Sequence, residues 1–157
     1  MEKIKITVKF KQVDRKTGKT ETYNTDELKE LNKYLDAIYA ETNDTVYLAV
    51  KLNFMLGLRV GELVSIKWND LTDLNHIHVA REEVRNQVTN QYEIVDHTKI
   101  NRDRFVVLIP KAINILQKLE HTSEYIFARD GERITSRQVA YVLEKYAETY
   151  DLIAKAL

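Results

Sequence analysis

The chain has no cysteine, one proline, four glycines and two methionines in 157 residues. Without cysteine there are no disulfides and no thiolate metal ligands, which fits a reducing compartment. So few prolines and glycines leave little material for long linkers or low-complexity tails. No apolar run approaches the roughly 18 residues of a membrane-spanning helix, and no secretory leader pattern opens the sequence. A membrane partner is therefore not expected, and the expected location is cytoplasmic. Nor is there a charge excess: 24 basic residues balance 24 acidic ones. A strongly basic composition, the usual footprint of nucleic-acid binding, is thus missing as a total. The lysines are nonetheless uneven, with Lys3, Lys5, Lys9, Lys11, Lys16 and Lys19 near the start.

What is present is 44% hydrophobic and 31% charged, the profile of a globular chain long enough for one core. Residues 1–23 read as a strand or hairpin, with Ile4, Ile6, Val8 and Phe10 alternating with lysines and a turn at Lys16–Lys19. They form either an edge hairpin with solvated lysines or a basic flap or linker. Asn24 and Glu27 make a capping box for a helix carrying Leu28, Leu31, Leu35, Ile38 and Tyr39 on one face. Asn43-Asp44 ends it and caps a second helix, Thr45 to Leu56. That helix is apolar nearly all round, as central core helices are.

Gly57 stops this helix, as a residue that accepts positive φ cheaply. Arg59 then begins a further helical pattern, with Leu63 and Ile66 four and seven residues on. Glu62, three residues after Arg59, shares its face. An arginine at such a corner is either a phosphate clamp, through its planar fork of donors, or half of a solvated ion pair. Trp68 and Leu71 read as packing anchors for the following loop.

From Asn75 to His97 the pattern is strand-like, with a hairpin turn over Asn86–Asn90. His76 and His78 share a strand face but lack a third ligand at a useful spacing, so no metal site is expected. Asp96 to Arg104 is a basic turn before a strand over Phe105–Ile109. Pro110 sits at the first position of a helix running to Glu120, with Ile113, Leu116 and Leu119 on one side. An apolar piece, Tyr125–Phe127, and a turn at Arg129–Glu132 lead to a last helix. Thr135 or Ser136 caps it, and Val139, Val142, Leu143, Tyr146 and Tyr150 form its stripe. Tyr141, Tyr146 and Tyr150 are expected to pack.

The segment Gly57-Leu58-Arg59-Val60-Gly61-Glu62-Leu63 with Ile66, Trp68, Asp70 and Leu71 resembles the first signature box of the tyrosine recombinase (phage integrase) family, roughly G-L-R-x-x-E-L-x-x-L-x-W-x-D-I. A partial second likeness lies at Thr98-Lys99 with Arg104 five residues on, where the family reads T-K-T-x-x-S-x-R. Ile100 and Asp103 depart from that pattern. The resemblance implies an α+β, mainly helical catalytic domain with a small antiparallel three-stranded sheet on one edge, spanning 24–157 in part. It implies Arg59 as a catalytic phosphate clamp, Glu62 as its supporting acid and Lys99 as general acid. Arg102, Arg104 and Lys67 become DNA contacts. The implied partners are double-stranded DNA and other recombinase protomers, a tetramer on DNA in the family, with no cofactor and no metal.

The family's H-x-L-R-H box and nucleophilic tyrosine have no counterpart here. His121 is followed by Thr122-Ser123-Glu124, and no arginine follows Arg137. The expectation is a recombinase catalytic domain cut before its second box, inactive by itself and prone to self-association through uncovered apolar surface. A non-catalytic DNA-binding or regulatory protein on the same scaffold is the alternative, and a plain helical interaction module is the third reading.

Overall fold

A computed structural model describes residues 22–72, 75–96 and 103–150. The first helix, α1 (Thr25–Thr42), begins where Asn24 Oδ1 accepts the backbone N–H groups of Asp26 and Glu27, both at 3.0 Å. Glu27 Oε2 returns the contact to the Asn24 N–H at 2.9 Å, so the expected capping box is formed. Asn43 ends α1 in the left-handed conformation, φ 54°. Asp44 caps α2 (Thr45–Leu56) by accepting the Val46 N–H at 3.1 Å. Gly57 closes α2 at φ 64°.

Helix α2 lies at the centre of the core. Val46, Leu48, Ala49, Val50, Leu52 and Leu56 are buried along it, and it packs on α1, α5 and α4. The corner after Gly57 departs from the expected pattern. Helix α3 is only Val60–Leu63, one turn, and Val64 already caps it. Ile66 is buried but lies beyond the helix, and its carbonyl accepts the Ile126 N–H at 2.9 Å. The apolar spacing of Leu63 and Ile66 therefore reflects two separate core contacts rather than one long helix. A single 3-10 turn follows at Trp68–Asp70.

The expected sheet is present as antiparallel pairs. Two successive strands, β1 (His76–Val79) and β2 (Arg81–Arg85), are separated by Ala80. β1 pairs with β4 (Arg104–Val107), Val79 opposite Arg104. β2 pairs with β3 (Tyr92–Asp96), Arg81 opposite Asp96. Between β2 and β3, Asn86 Oδ1 accepts the N–H groups of Val88 and Thr89, and Asn90 turns at φ 61°. Ile77 and Val79 face the core, while Phe105 and Val107 are exposed.

Helix α4 (Pro110–Gln117) has Pro110 in its first turn. Its end tightens into turns from Lys118 and Leu119 back to Ile115 and Leu116, three residues short of the expected Glu120. Ile126 and Phe127 are core residues, and β5 (Ala128–Arg129) pairs with β6 (Glu132–Arg133) around Gly131 at φ 81°. Thr135 caps α5 (Ser136–Thr149) in a capping box with Gln138. Val139, Val142, Leu143 and Tyr146 are buried on it, and Tyr150 packs against the core just past its end. Tyr141 is 55% exposed, contrary to the packing expected of it. At about 100° per residue it points away from the Val139–Tyr146 stripe.

Of the N-terminal expectation, residues 1–21 lie outside the described residues. Tyr23 is in no strand; its ring meets Phe54 edge-on at 5.6 Å. No helix among the described residues is long and apolar enough to cross a membrane.

Candidate nucleic-acid and phosphate site at the helical corner

The corner is held from beneath by two buried polar side chains. Asn53, the one polar residue among those buried on α2, is 3% exposed. Its Oδ1 accepts the Leu58 N–H at 3.0 Å and its Nδ2 donates to the Leu58 carbonyl at 2.8 Å. Both peptide groups of the residue before Arg59 are thereby satisfied, as buried backbone requires. Glu62 is the second. Its carboxylate has no exposure, and its Oε2 accepts the Arg59 N–H at 2.9 Å.

The guanidinium that Glu62 binds belongs to Arg104. Nη1 donates to Oε1 and Nη2 to Oε2, both at 2.7 Å, a two-pronged ion pair across 42 residues of sequence. Burial works to raise the Glu62 carboxyl, but hydrogen bonds from Arg104 and from the Arg59 N–H, with the charges of both arginines, hold it below the ordinary glutamate value. The same bond raises the Arg104 guanidinium. Arg59 itself is exposed, and among the described residues its guanidinium makes no hydrogen bond or ion pair. The sequence spacing suggested a side-chain pair between Arg59 and Glu62. The acid instead takes the backbone of Arg59 and the side chain of Arg104, because Arg59 is the residue before the helix and Glu62 is three residues on, in capping-box geometry.

Two further buried networks stand behind the corner. Ser65 Oγ lies 2.8 Å from the Gly61 carbonyl and 3.0 Å from that of Arg81, and Asp70 takes Arg81 Nη1 at 2.5 Å and the Lys67 N–H at 2.7 Å. Glu83, its side chain fully buried, accepts Arg133 Nη1 and the hydroxyl and N–H of Ser136. Gly61 lies against the same strand: a Cβ there would sit 2.6 Å from the Glu83 carbonyl oxygen, so only glycine lets α3 approach β2 this closely. Asn53, Ser65, Arg81, Glu83, Arg133 and Ser136 were not among the expected site residues. Only Asn53 carried a sequence signal, a lone amide inside an apolar helix.

Lys67 is paired with Glu124 at 2.8 Å and lies 5.2 Å from the Tyr125 ring centroid; the hydrogen bond to Glu124 raises its ammonium against a smaller opposing effect of burial. Lys99 and Arg102 lie outside the described residues. Trp68 stacks on His121 with centroids 3.6 Å apart, a packing role as expected. His78 Nε2 is 2.9 Å from Asp103 Oδ2 and its ring stacks on Phe105. Among the described residues no three His, Asp or Glu side chains group as metal ligands would.

A corner of this construction sits on a helical core edged by short antiparallel strands. The chain belongs to the phage integrase family, whose pattern matches residues 21–155. Among solved structures, it is similar to the Tn1549 transposon integrase in complex with a circular intermediate DNA, at 15% identity and a TM-score of 0.68, covering 91% of this chain and 50% of that one. The XerA recombinase is similar at 18% identity and 0.55, covering 92% and 48%. A lambda integrase tetramer bound to a Holliday junction is similar at 19% identity and 0.50, covering 88% and 38%. These likenesses establish the fold, and the chain spans about half the length of the solved Tn1549 and XerA chains. No curated protein sequence matches it.

Proposed function

We infer that this chain acts on double-stranded DNA as part of a site-specific tyrosine recombinase, with Arg59 gripping the scissile phosphate. One observation carries this reading. The Arg59 guanidinium is exposed and without a hydrogen-bond partner among the described residues, while the backbone at Leu58 and Arg59 is fixed by buried Asn53 and Glu62. Donors fixed before the reaction, aimed where charge develops, are what phosphoryl transfer needs. An arginine on an ordinary solvated helix has no such support.

In the chemistry so assigned, a tyrosine hydroxyl attacks the phosphorus and a phosphotyrosyl bond forms on the 3′ side. The bond to the 5′ oxygen breaks, and that oxygen takes a proton from Lys99, whose ammonium on a flexible stem suits the task. Arg59 stabilises the charge on the non-bridging oxygens, worth roughly 3 kcal/mol of barrier. None of the nine tyrosines stands in the family's nucleophile context, so the attacking hydroxyl and the second arginine are assigned to residues outside these 157. Arg102 and, once released from Glu124, Lys67 are the remaining candidate phosphate contacts. Assembly with further protomers on DNA is part of the same reading.

The test is a binding titration on duplex DNA at several salt concentrations, together with a nicked suicide substrate. Binding should weaken steeply with salt and fall about tenfold in Arg59→Ala, a loss of the size expected for one arginine contact. No covalent adduct should form. An adduct would overturn the placement of the nucleophile. Unchanged binding in Arg59→Ala would overturn the clamp.

A further inference from the structure

The fork between Arg104 and Glu62 does something the Arg59 clamp depends on. Glu62 has only two oxygens. Oε1 is given to Arg104, and Oε2 is shared between Arg104 at 2.7 Å and the Arg59 N–H at 2.9 Å. The direction of that shared oxygen is thus set by a guanidinium on β4, an element that enters the chain 42 residues later. From these contacts we propose that Arg104 is a positioning residue, which orients Arg59 through the Glu62 carboxylate instead of gripping DNA itself. The proposal rests on the reading of Arg59 as the phosphate clamp.

Three observations favour positioning over direct contact. Both terminal nitrogens of Arg104 are spent on Glu62, so its end-on edge, the one that mates two phosphate oxygens in parallel, is occupied. The carboxylate is fully buried, so without the fork it would be an uncompensated charge that must protonate or turn outward, and turning outward releases the Arg59 N–H. Arg59, by contrast, keeps its whole guanidinium free of hydrogen bonds among the described residues. The planar fork also matters by its shape. Lysine offers the same charge but one nitrogen, and cannot hold both oxygens in one plane.

The experiment uses the 157-residue chain and four forms: wild type, Arg59→Ala, Arg104→Lys and the double variant. Two readouts are taken, duplex DNA affinity against salt and hydrogen exchange of the Arg59 backbone N–H. For a positioning residue, Arg104→Lys weakens DNA binding about tenfold although its charge is kept, and the double variant is no weaker than Arg59→Ala. Exchange at the Arg59 N–H quickens about tenfold or more while amides in the middle of α2 are unchanged. If Arg104 touches phosphate directly, Arg104→Lys spares binding or its loss adds to that of Arg59→Ala, and the proposal fails. It fails equally if exchange at Arg59 is the same in wild type and Arg104→Lys. Should Arg104→Lys not fold, Arg104→Gln takes its place, and the double variant with Arg59→Ala and the exchange at the Arg59 N–H decide as before. Unchanged DNA binding in Arg59→Ala would sink the clamp alone, since the exchange readout then still decides whether Arg104 orients Arg59.

Discussion

Two buried glutamates organise this protein, and they differ in what lies above them. Glu62 and Glu83 both have carboxylates without solvent exposure, and each accepts an arginine and a backbone N–H. The arginine on Glu83, Arg133, is 14% exposed at its side chain, whereas Arg104 on Glu62 is 44% exposed. The Glu83 cluster is closed, and it ties β2 to the first turn of α5. The Glu62 cluster opens on one side to solvent, beside an exposed arginine. A buried charge can therefore serve either as an internal tie or as the underside of a surface site. The exposure of its partner tells the two apart.

The largest effect should come from breaking the closed cluster. Arg133→Ala strands the Glu83 charge and should cost about 3–5 kcal/mol, read as a lowered midpoint in denaturant. Arg104→Ala should cost less, about 1–3 kcal/mol, because solvent reaches the vacated place over Glu62. Equal losses would remove the distinction between the two sites. Gly61→Ala forces a methyl group to within 2.6 Å of the Glu83 carbonyl, and the backbone shift should cost about 1–3 kcal/mol, with the change in α3 visible in the amide spectrum.

Acid sharpens the comparison further. The Glu62 carboxyl lies below its ordinary value in the folded chain. Its contribution to stability is complete above the unfolded value and is lost as pH falls through the lowered folded value. A stability profile from neutral to acid should therefore fall less steeply in Glu62→Gln than in wild type. Smallest of all, Arg59→Ala should change stability by no more than about 0.5 kcal/mol, measured by thermal melting, while its effect on DNA binding is large.

How much of this was readable from the sequence depends on the distance over which each contact acts. Asn24, Asp44, Gly57, Pro110 and Thr135 mark helix ends by interactions within four residues, and each stands where the spacing put it. The Arg59–Glu62 spacing was likewise visible, but its geometry was not. The acid's second partner arrives from β4, and no local pattern encodes a contact across 42 residues. The Glu83 cluster was missed for the same reason, as its partners lie 50 and 53 residues away. Tyr141 was expected to pack with Tyr146 and Tyr150, but only those two align with Val139 and Leu143, and Tyr141 falls on the opposite, exposed face. The shortness of α3 was hidden because core spacing continues through Ile66 after the helical bonds have stopped.

The Asn53 carboxamide is in effect a spare peptide unit, offering one donor and one acceptor to Leu58 where a neighbouring strand would otherwise be needed. That makes the position unusually selective among side chains of its size. Aspartate would face the Leu58 carbonyl with a second oxygen, leucine would leave both groups of Leu58 bare, and glutamine would overshoot by a methylene. A turn bearing an outward arginine on a braced backbone can thus be recognised by the lone asparagine four residues before its glycine.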